Sequence, residues 1–335
     1  MDDRTQTRRI WGWYAFDWAS QPYSTLILTF IFGPYINDLL GDGSEAQAAW
    51  GYGVGAAGLV IAFLAPVLGA WADTGGHRMR WITAFSVLYV LGSFCLWFAH
   101  PETFSLTLVL LSFAIGLIGL EFTTIFTNSL LPDLGPPEKI GRISGNGWAL
   151  GYVGGFIALL IMLTLFAEQG SGKTLIGIDP ILGLNAEERE GTRAVGPLTA
   201  IWFAVFMIPF FLWVRDPVQR SASVAGIRKV LSDLAATLRR LPQDRSLFAY
   251  LGASMFYRDA LNGFYAFGGI YAAGVLGWSV VDVGIFGIVA IIASAIFAWL
   301  GGRADSAFGP KPVIVLSVLI LTLTAVVTVS VSRTS

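Results

Sequence analysis

Charge is scarce in this chain of 335 residues: Asp, Glu, Lys and Arg together make up 13%. Soluble domains run near one-quarter charged, so water is not this protein's main solvent. Cysteine occurs once, as Cys95 inside an apolar run, which leaves no partner for an internal disulfide and no cysteine metal cluster. Two histidines stand far from any metal-ligating spacing, and neither a metal nor a cofactor is expected. The chain has no Gly-rich phosphate loop and no nucleophile triad, so ATP-driven pumping and enzymatic chemistry lack support. A net charge of −1 gives no basic surplus for a nucleic-acid partner. Alternation of apolar and polar residues at a two-residue period is absent too, which argues against a membrane β-barrel.

What is abundant is apolar surface, since 55% of the residues are hydrophobic. A hydrocarbon core of about 30 Å needs roughly 20 apolar residues per helix at 1.5 Å rise. Nine such runs are present, near Trp13 to Ile36, Trp50 to Trp71, Trp81 to Ala99, Phe104 to Leu131, Gly147 to Phe166, Val195 to Val214, Leu247 to Val275, Val283 to Leu300 and Pro312 to Val331. Inside a bilayer the backbone must satisfy its own hydrogen bonds, so these runs are expected as helices. The fold class predicted is an all-α polytopic membrane protein that inserts in the lipid bilayer of the cell membrane.

Basic residues sort by loop. The N-terminus and every second connection hold Arg4, Arg8, Arg9, Arg78, Arg80, Lys139, Arg142, Arg215, Arg220, Arg228, Lys229, Arg239, Arg240, Arg245, Arg303 and Lys311; the alternate connections hold only Lys173, Arg189, Arg193 and Arg333. The positive-inside rule then puts the N-terminus in the cytoplasm, the acidic segment from Glu168 to Arg193 outside and, after nine crossings, Ser335 outside. The first run is full length, is interrupted by Asp17 and lacks a small-residue cleavage site, so it is expected to stay as a helix rather than be removed as a signal. Trp11, Trp13, Trp50, Trp71 and Trp81 fall at span ends and are expected to act as interfacial anchors.

The longest basic connection, from Arg215 to Ser246, carries Val230, Leu231, Leu234, Leu238 and Leu241 at helical spacing and reads as an amphipathic interfacial helix. It divides the chain into 1–215 (six spans), 216–246 (linker) and 247–335 (three spans). The two parts look alike. After span two the chain reads GAWADTGGHRMR, with Gly69, Asp73, Gly76 and Arg78; after span eight it reads GGRADSAFGPK, with Gly301, Asp305, Gly309 and Lys311. Asp17 in span one has its counterpart in Asp259 of span seven, so spans seven to nine are expected to repeat spans one to three.

The first of these loops resembles the signature loop between helices two and three of the major facilitator superfamily. In that family the loop packs on the cytoplasmic face and helps hold the two halves in one of their alternate states. Gly69 would permit close helix approach, Asp73 can accept from a helix N-terminus, and Arg78 can pair with an acid or a lipid phosphate. Thr74 and His77 replace residues that are basic in the family, which puts a charge relay through those two in doubt. Three segments, YAFDWASQPYSTLILTFIFGPY from Tyr14, NSLLPDLGPPEKIGRISGNGWALGYVGG from Asn128 and MFYRDALNGFYAFGGIYA from Met255, resemble the vacuole-effluxer-like, autophagy-related branch. The resemblance implies a twelve-helix transporter with a fungal relative associated with amino-acid export. On that comparison the chain has a six-helix N-terminal bundle plus three helices of the C-terminal bundle, and stops short of the last three.

Ionisable residues within spans cost about 2.5 to 3.5 kcal/mol each at a helix centre, so they mark function or paired structure. Asp17, Glu121, Arg258 and Asp259 are such residues, on spans one, four and seven. In the superfamily the corresponding helices line the central cavity. Asp17 can equally snorkel or cap its helix, and Glu121 can make a buried structural hydrogen bond. Arg258 is expected to turn toward Glu121 or Asp259. With Gln21, Asn128 and Asn262 these four make the expected substrate or ion pathway. The glycines Gly147, Gly151, Gly154 and Gly155 form one small face of span five, suited to close helix packing. Together these features predict secondary transport of a small polar solute, amino acids included, with a proton or cation as coupling partner. The competing expectation is a transport-inactive truncated membrane protein or an interaction subunit.

Overall fold

The computed structural model describes residues 3–75, 78–215 and 227–332. All regular structure among them is helical. Six stretches are long and apolar enough to cross a membrane: Gly43–Gly69, Arg78–Phe98, Leu106–Asn128, Pro137–Phe166, Glu190–Trp213 and Val280–Phe308. The first, seventh and ninth runs are helical too, but charged residues or a shorter apolar length, Pro310–Val326 in the last, keep them below that composition.

The first run is not one regular helix. Helix α1 (Asp3–Pro22) passes into a π-helix (Tyr23–Phe30), breaks at Ile31 (φ −121°, ψ −63°) and resumes as α2 (Phe32–Leu40). Pro22 explains the onset, because proline cannot donate to the carbonyl four residues back. That carbonyl, on Trp18, accepts instead from the Trp202 indole at 3.1 Å. Gly41 in the left-handed region (φ +70°) then closes α2, as helix C-termini commonly require.

The chain continues as α3 (Gly43–Gly75), α4 (Arg78–Cys95), α5 (Leu106–Asn128) and α6 (Pro137–Ile161), the last extended by a π-turn (Met162–Phe166). A long loop leads to the short α7 (Glu190–Arg193), followed in line by α8 (Val195–Phe206) and α9 (Ile208–Trp213). Then come α10 (Ile227–Arg240), α11 (Arg245–Gly274), α12 (Val280–Phe308) and α13 (Pro310–Ser332). Local chemistry sets the boundaries. Asp244 accepts from the Leu247 amide at 3.0 Å, a Ser279–Asp282 capping box opens α12, and Gly309 at φ +79° ends it. The side chains of Val230, Leu231 and Leu234, expected on the apolar face of α10, lie outside the described residues, as do Gly76, the side chain of Asp73 and Ser335.

Small residues decide how these helices meet. A side chain at Gly92 of α4 would strike the Gly116 backbone of α5, and one at Gly119 would strike Tyr89, so these two helices touch backbone to backbone. Helix α1 packs on α6, α8 and α9. Its contact with α6 runs along the predicted glycine face: Gly147 and Gly151 meet Asp17, Gly154 meets Trp18, and Gly155 meets Thr25 and Gln21. An aromatic core fills the remaining space, with ring centroids 4.2 Å apart for Trp50 and Phe113 and 3.9 Å for Tyr89 and Phe203.

Two tryptophans depart from the anchor role expected of them. Trp13 and Trp50 are 1% and 0% exposed. Their indoles donate inward, to the Thr127 carbonyl at 3.1 Å and to the Ala266 carbonyl at 3.0 Å. A buried indole keeps its area dry and still satisfies its one donor, and that outweighs the interface where a helix end has neighbours on all sides. Trp11, 55% exposed, keeps the position expected of an anchor.

Candidate functional site: the membrane-embedded polar residues

Asp17 stands on α1 where α6 is closest. Its Oδ2 is buried against Gly147 and accepts no hydrogen bond. Gln21, one turn on, packs its stem against Gly155. The geometry follows from the sequence, because only glycine at 147 leaves room for the carboxylate. Such a group has lost water without gaining a partner, an arrangement whose cost is normally avoided.

Glu121 lies on α5, mostly covered, and no described residue bonds it. On the same helix the Thr124 hydroxyl donates back to Leu120 at 2.8 Å, and Asn128 at the helix end is exposed. Arg258, Asp259 and Asn262 are exposed on α11. Arg258 stands beside Tyr257, whose hydroxyl accepts from Ser254 at 3.3 Å. Ion pairing of Arg258 with Glu121 or Asp259, expected above, does not occur among the described residues. Arg258 does not meet Glu121 of α5, because α11 packs on α2, α3 and the π-helix instead. The structure therefore brings Asp17 and Gln21 together at the α1–α6 contact. It leaves Glu121 with Asn128 on α5 and the α11 residues on a third surface.

The two repeat loops are also seated differently. Arg78 donates to the Ser129 carbonyl at 2.8 Å and pairs with Asp133 at 3.1 Å, joining the start of α4 to the end of α5. Gly69 has open space where a Cβ would stand. Asp305 presses its carboxylate onto Gly141 in the second turn of α6, and Gly302 meets Gly145 one turn on. The amides of a helix start favour a negative group there. Gly309 ends α12, and Lys311 is exposed.

Two polar clusters were not expected from the sequence. Tyr152 of α6 comes near Tyr265 of α11 and Ser294 of α12, whose hydroxyl donates to the Ala290 carbonyl at 2.8 Å. Single tyrosines and serines in apolar runs carry no signal of their own; only the meeting of three helices shows them. The second cluster is on the face opposite the N-terminus, where Glu168 and Arg193 are 3% and 1% exposed. Glu168 accepts from the amide and hydroxyl of Thr192 and pairs with Arg189 at 3.1 Å; Arg189 also pairs with Asp38 at 2.9 Å. Arg193 donates to the Trp97 carbonyl at 2.8 Å and stacks on its ring. Burial raises the pKa of Asp38, and the Arg189 charge opposes that rise. Two arginines in an acidic loop were the available signal.

Comparison with known proteins decides the family. Residues 45–140 and 137–329 match the model of the vacuole effluxer Atg22-like family. The chain belongs to that family. It is 23% identical over 314 residues to the uncharacterized MFS-type transporter YxiO of Bacillus subtilis (strain 168), covering 92% of this chain and 70% of the relative. An uncharacterized protein of Aquifex aeolicus (strain VF5) is 28% identical over 241 residues, covering 71% of this chain and 51% of that protein. The chain thus spans between 51% and 70% of the length of these two relatives. The xylose transporter XylE from E. coli, in a partially occluded inward open conformation, superposes with a TM-score of 0.57 at 16% identity, over 92% of this chain and 74% of that one. The fold is that of the major facilitator superfamily, and the protein is a multi-pass membrane protein of the MFS transporter type.

Proposed function

We propose that this member of the effluxer-like family is a secondary active transporter that moves a small polar solute, amino acids first among the classes to test, by rocking two helix groups about a site near mid-membrane. The observation that carries the reading is Asp17, a carboxylate inside a spanning helix with one buried oxygen and no partner. A group so placed can take up and release a proton as its surroundings open and close, and Glu121 is the second candidate. The Tyr152, Tyr265 and Ser294 hydroxyls supply donors and acceptors where α6, α11 and α12 meet. Arg258 is the candidate for a carboxylate or phosphate on the solute. In this reading the N-terminal face is cytoplasmic, as the loop arginines require.

The test is uptake of a mixed amino-acid pool into proteoliposomes under an imposed pH gradient. Gradient-driven uptake that Glu121→Gln or Asp17→Asn abolishes, with membrane insertion unchanged, is expected. Uptake indifferent to both substitutions removes these carboxylates from the mechanism.

A second reading, an interaction subunit without transport, is favoured by one observation. Helices α11 and α13 enclose a cleft of about 1240 Å³, with Tyr250, Phe256, Phe264 and Leu319 on its apolar walls. Failure of uptake together with stable association of a second membrane protein would select it.

A further inference from the structure

The break at Ile31 makes α2 a separate rod of nine residues at the outer end of the first span. The face of α2 and the preceding π-helix that meets the second helix group is tightly seated. Gly269 of α11 has no room for a side chain against the Thr29 carbonyl, the Thr29 hydroxyl stands 3.1 Å from the Tyr265 carbonyl, and Asn37 approaches Gly274. Beside them Gly43 touches Gly274, so α2, α3 and α11 close one seam on this face.

The other side of α2 is held by the loop between α6 and α7. Arg189 grips Asp38 through Nη2 at 2.9 Å and lies over the Tyr35 ring at 5.5 Å, while Tyr35 donates to the Ala99 carbonyl at 2.8 Å. Arg189 is itself set from behind by Glu168, whose carboxylate is 1% exposed. The Arg189 backbone adopts φ +53°, a left-handed conformation that a non-glycine residue keeps only where its surroundings hold it. Gly191 is required at the turn, because a Cβ there would collide with Phe166 and Glu168. Arg193 anchors the far end of the loop on Trp97. A buried anchorage therefore terminates in one partly exposed ion pair, and that pair acts on the segment of the first span beyond the break at Ile31.

We infer that residues 168–193 form a strap which holds α2 through Arg189 and Asp38, and so keeps the α2–α3–α11 seam shut. Releasing the pair frees α2 to tilt at Ile31 and lets the seam open. The inference rests on the alternating-access reading above, but its test reads seam geometry alone and not transport.

In a Cys95→Ser background, Ala266→Cys places one thiol at the seam, at a residue 6% exposed whose carbonyl accepts from Trp50 of α3. The full chain in sealed proteoliposomes or cells is treated with a membrane-impermeant maleimide. Asp38→Asn and Arg189→Gln should each raise the labelling rate about fivefold or more, as expected when a closed population loses its advantage. Asp38→Glu, which keeps a carboxylate for Arg189, should label within about twofold of the parent. Asp38→Asn leaves the buried Glu168–Arg189 contact in place, whereas Arg189→Gln also removes the partner of Glu168. Glu188→Gln, which breaks the loop's contact with His100 but not the strap, should label like the parent. Unchanged labelling in both Asp38→Asn and Arg189→Gln overturns the strap, and so does an equal rise in Glu188→Gln, which would mean general loosening of the loop. Uptake measured on the same vesicles separates the two claims: faster labelling without any solute uptake upholds the strap and sinks the transport reading.

Discussion

The unit that opens the chain and the unit that begins at α11 bear the same sequence marks, yet the structure treats them oppositely. Asp17 is pressed into α6 with a buried oxygen, whereas its counterpart Asp259 is exposed. The first span breaks at Pro22 and Ile31, whereas α11 runs unbroken from Arg245 to Gly274. Within α11 the contrast repeats. Ala266, Gly269, Ile270 and Ala272 are buried against α2 and α3, while Phe256, Arg258, Asp259 and Asn262 are exposed. A motif therefore carries the type of residue to a helix level, and the neighbours decide whether it becomes a buried group or a surface one.

The sharpest way to break this comparison is steric. Gly147→Val must displace Asp17 and Trp13, and overpacking of this kind costs about 1–3 kcal/mol or more. Gly263→Val in α11, with nothing within 4 Å, should be neutral or slightly stabilising, to within about 0.5 kcal/mol, because valine is no worse a helix former than glycine. Detergent melting of both variants checks this; equal losses would mean that the α1–α6 contact is not as tight as described.

The next effect is on transport. Asp17→Asn is expected to lower gradient-driven uptake by at least about tenfold, the effect of a lost proton-transfer group, while Asp259→Asn keeps most of it. If Asp259→Asn is the more damaging, the exposed unit and not the buried one carries the coupling.

A smaller difference separates the tryptophans. Trp50→Phe forfeits the bond to Ala266 and leaves that carbonyl buried, for about 1–2 kcal/mol. Trp11→Phe, at an exposed site, should stay within about 0.5 kcal/mol. Thermal stability in a single detergent distinguishes them, and comparable shifts would restore both residues to the anchor class.

Last come the paired loops. Arg78→Ala removes a carbonyl contact and a partly covered ion pair, worth about 1 kcal/mol once screening is allowed for. Lys311→Ala should be neutral to within about 0.5 kcal/mol, because the lysine is exposed. A melting shift for Lys311→Ala larger than that for Arg78→Ala would mean that the Arg78 contacts with Ser129 and Asp133 contribute less than their geometry implies.

Much was legible beforehand because membrane solvent imposes simple rules. Twenty apolar residues must be a helix, glycines at four-residue spacing must face a close neighbour, and the Gly147 to Gly155 series does meet α1. Polar partners were less legible. Arg258 was expected to seek Glu121 or Asp259, but a side chain's partner depends on which helix lies across from it, and α11 faces α2 and α3. The Glu168, Arg189 and Asp38 group was invisible for a related reason: Asp38 and Arg189 are 151 positions apart and share no local pattern.

The amino-acid sequence by itself determined that this protein lives in a bilayer, where its helices run, which of them carry matching motifs and which family it resembles, because hydrophobic length, helical period and motif spacing are local properties. Tertiary structure alone decided that one Asp17 oxygen is buried without a partner, that Trp13 and Trp50 are core residues, and that a loop arginine pairs with Asp38 at the end of α2. Those outcomes turn on which surfaces meet, and the free energy of a buried polar group is set by what stands across from it rather than by its place in the chain.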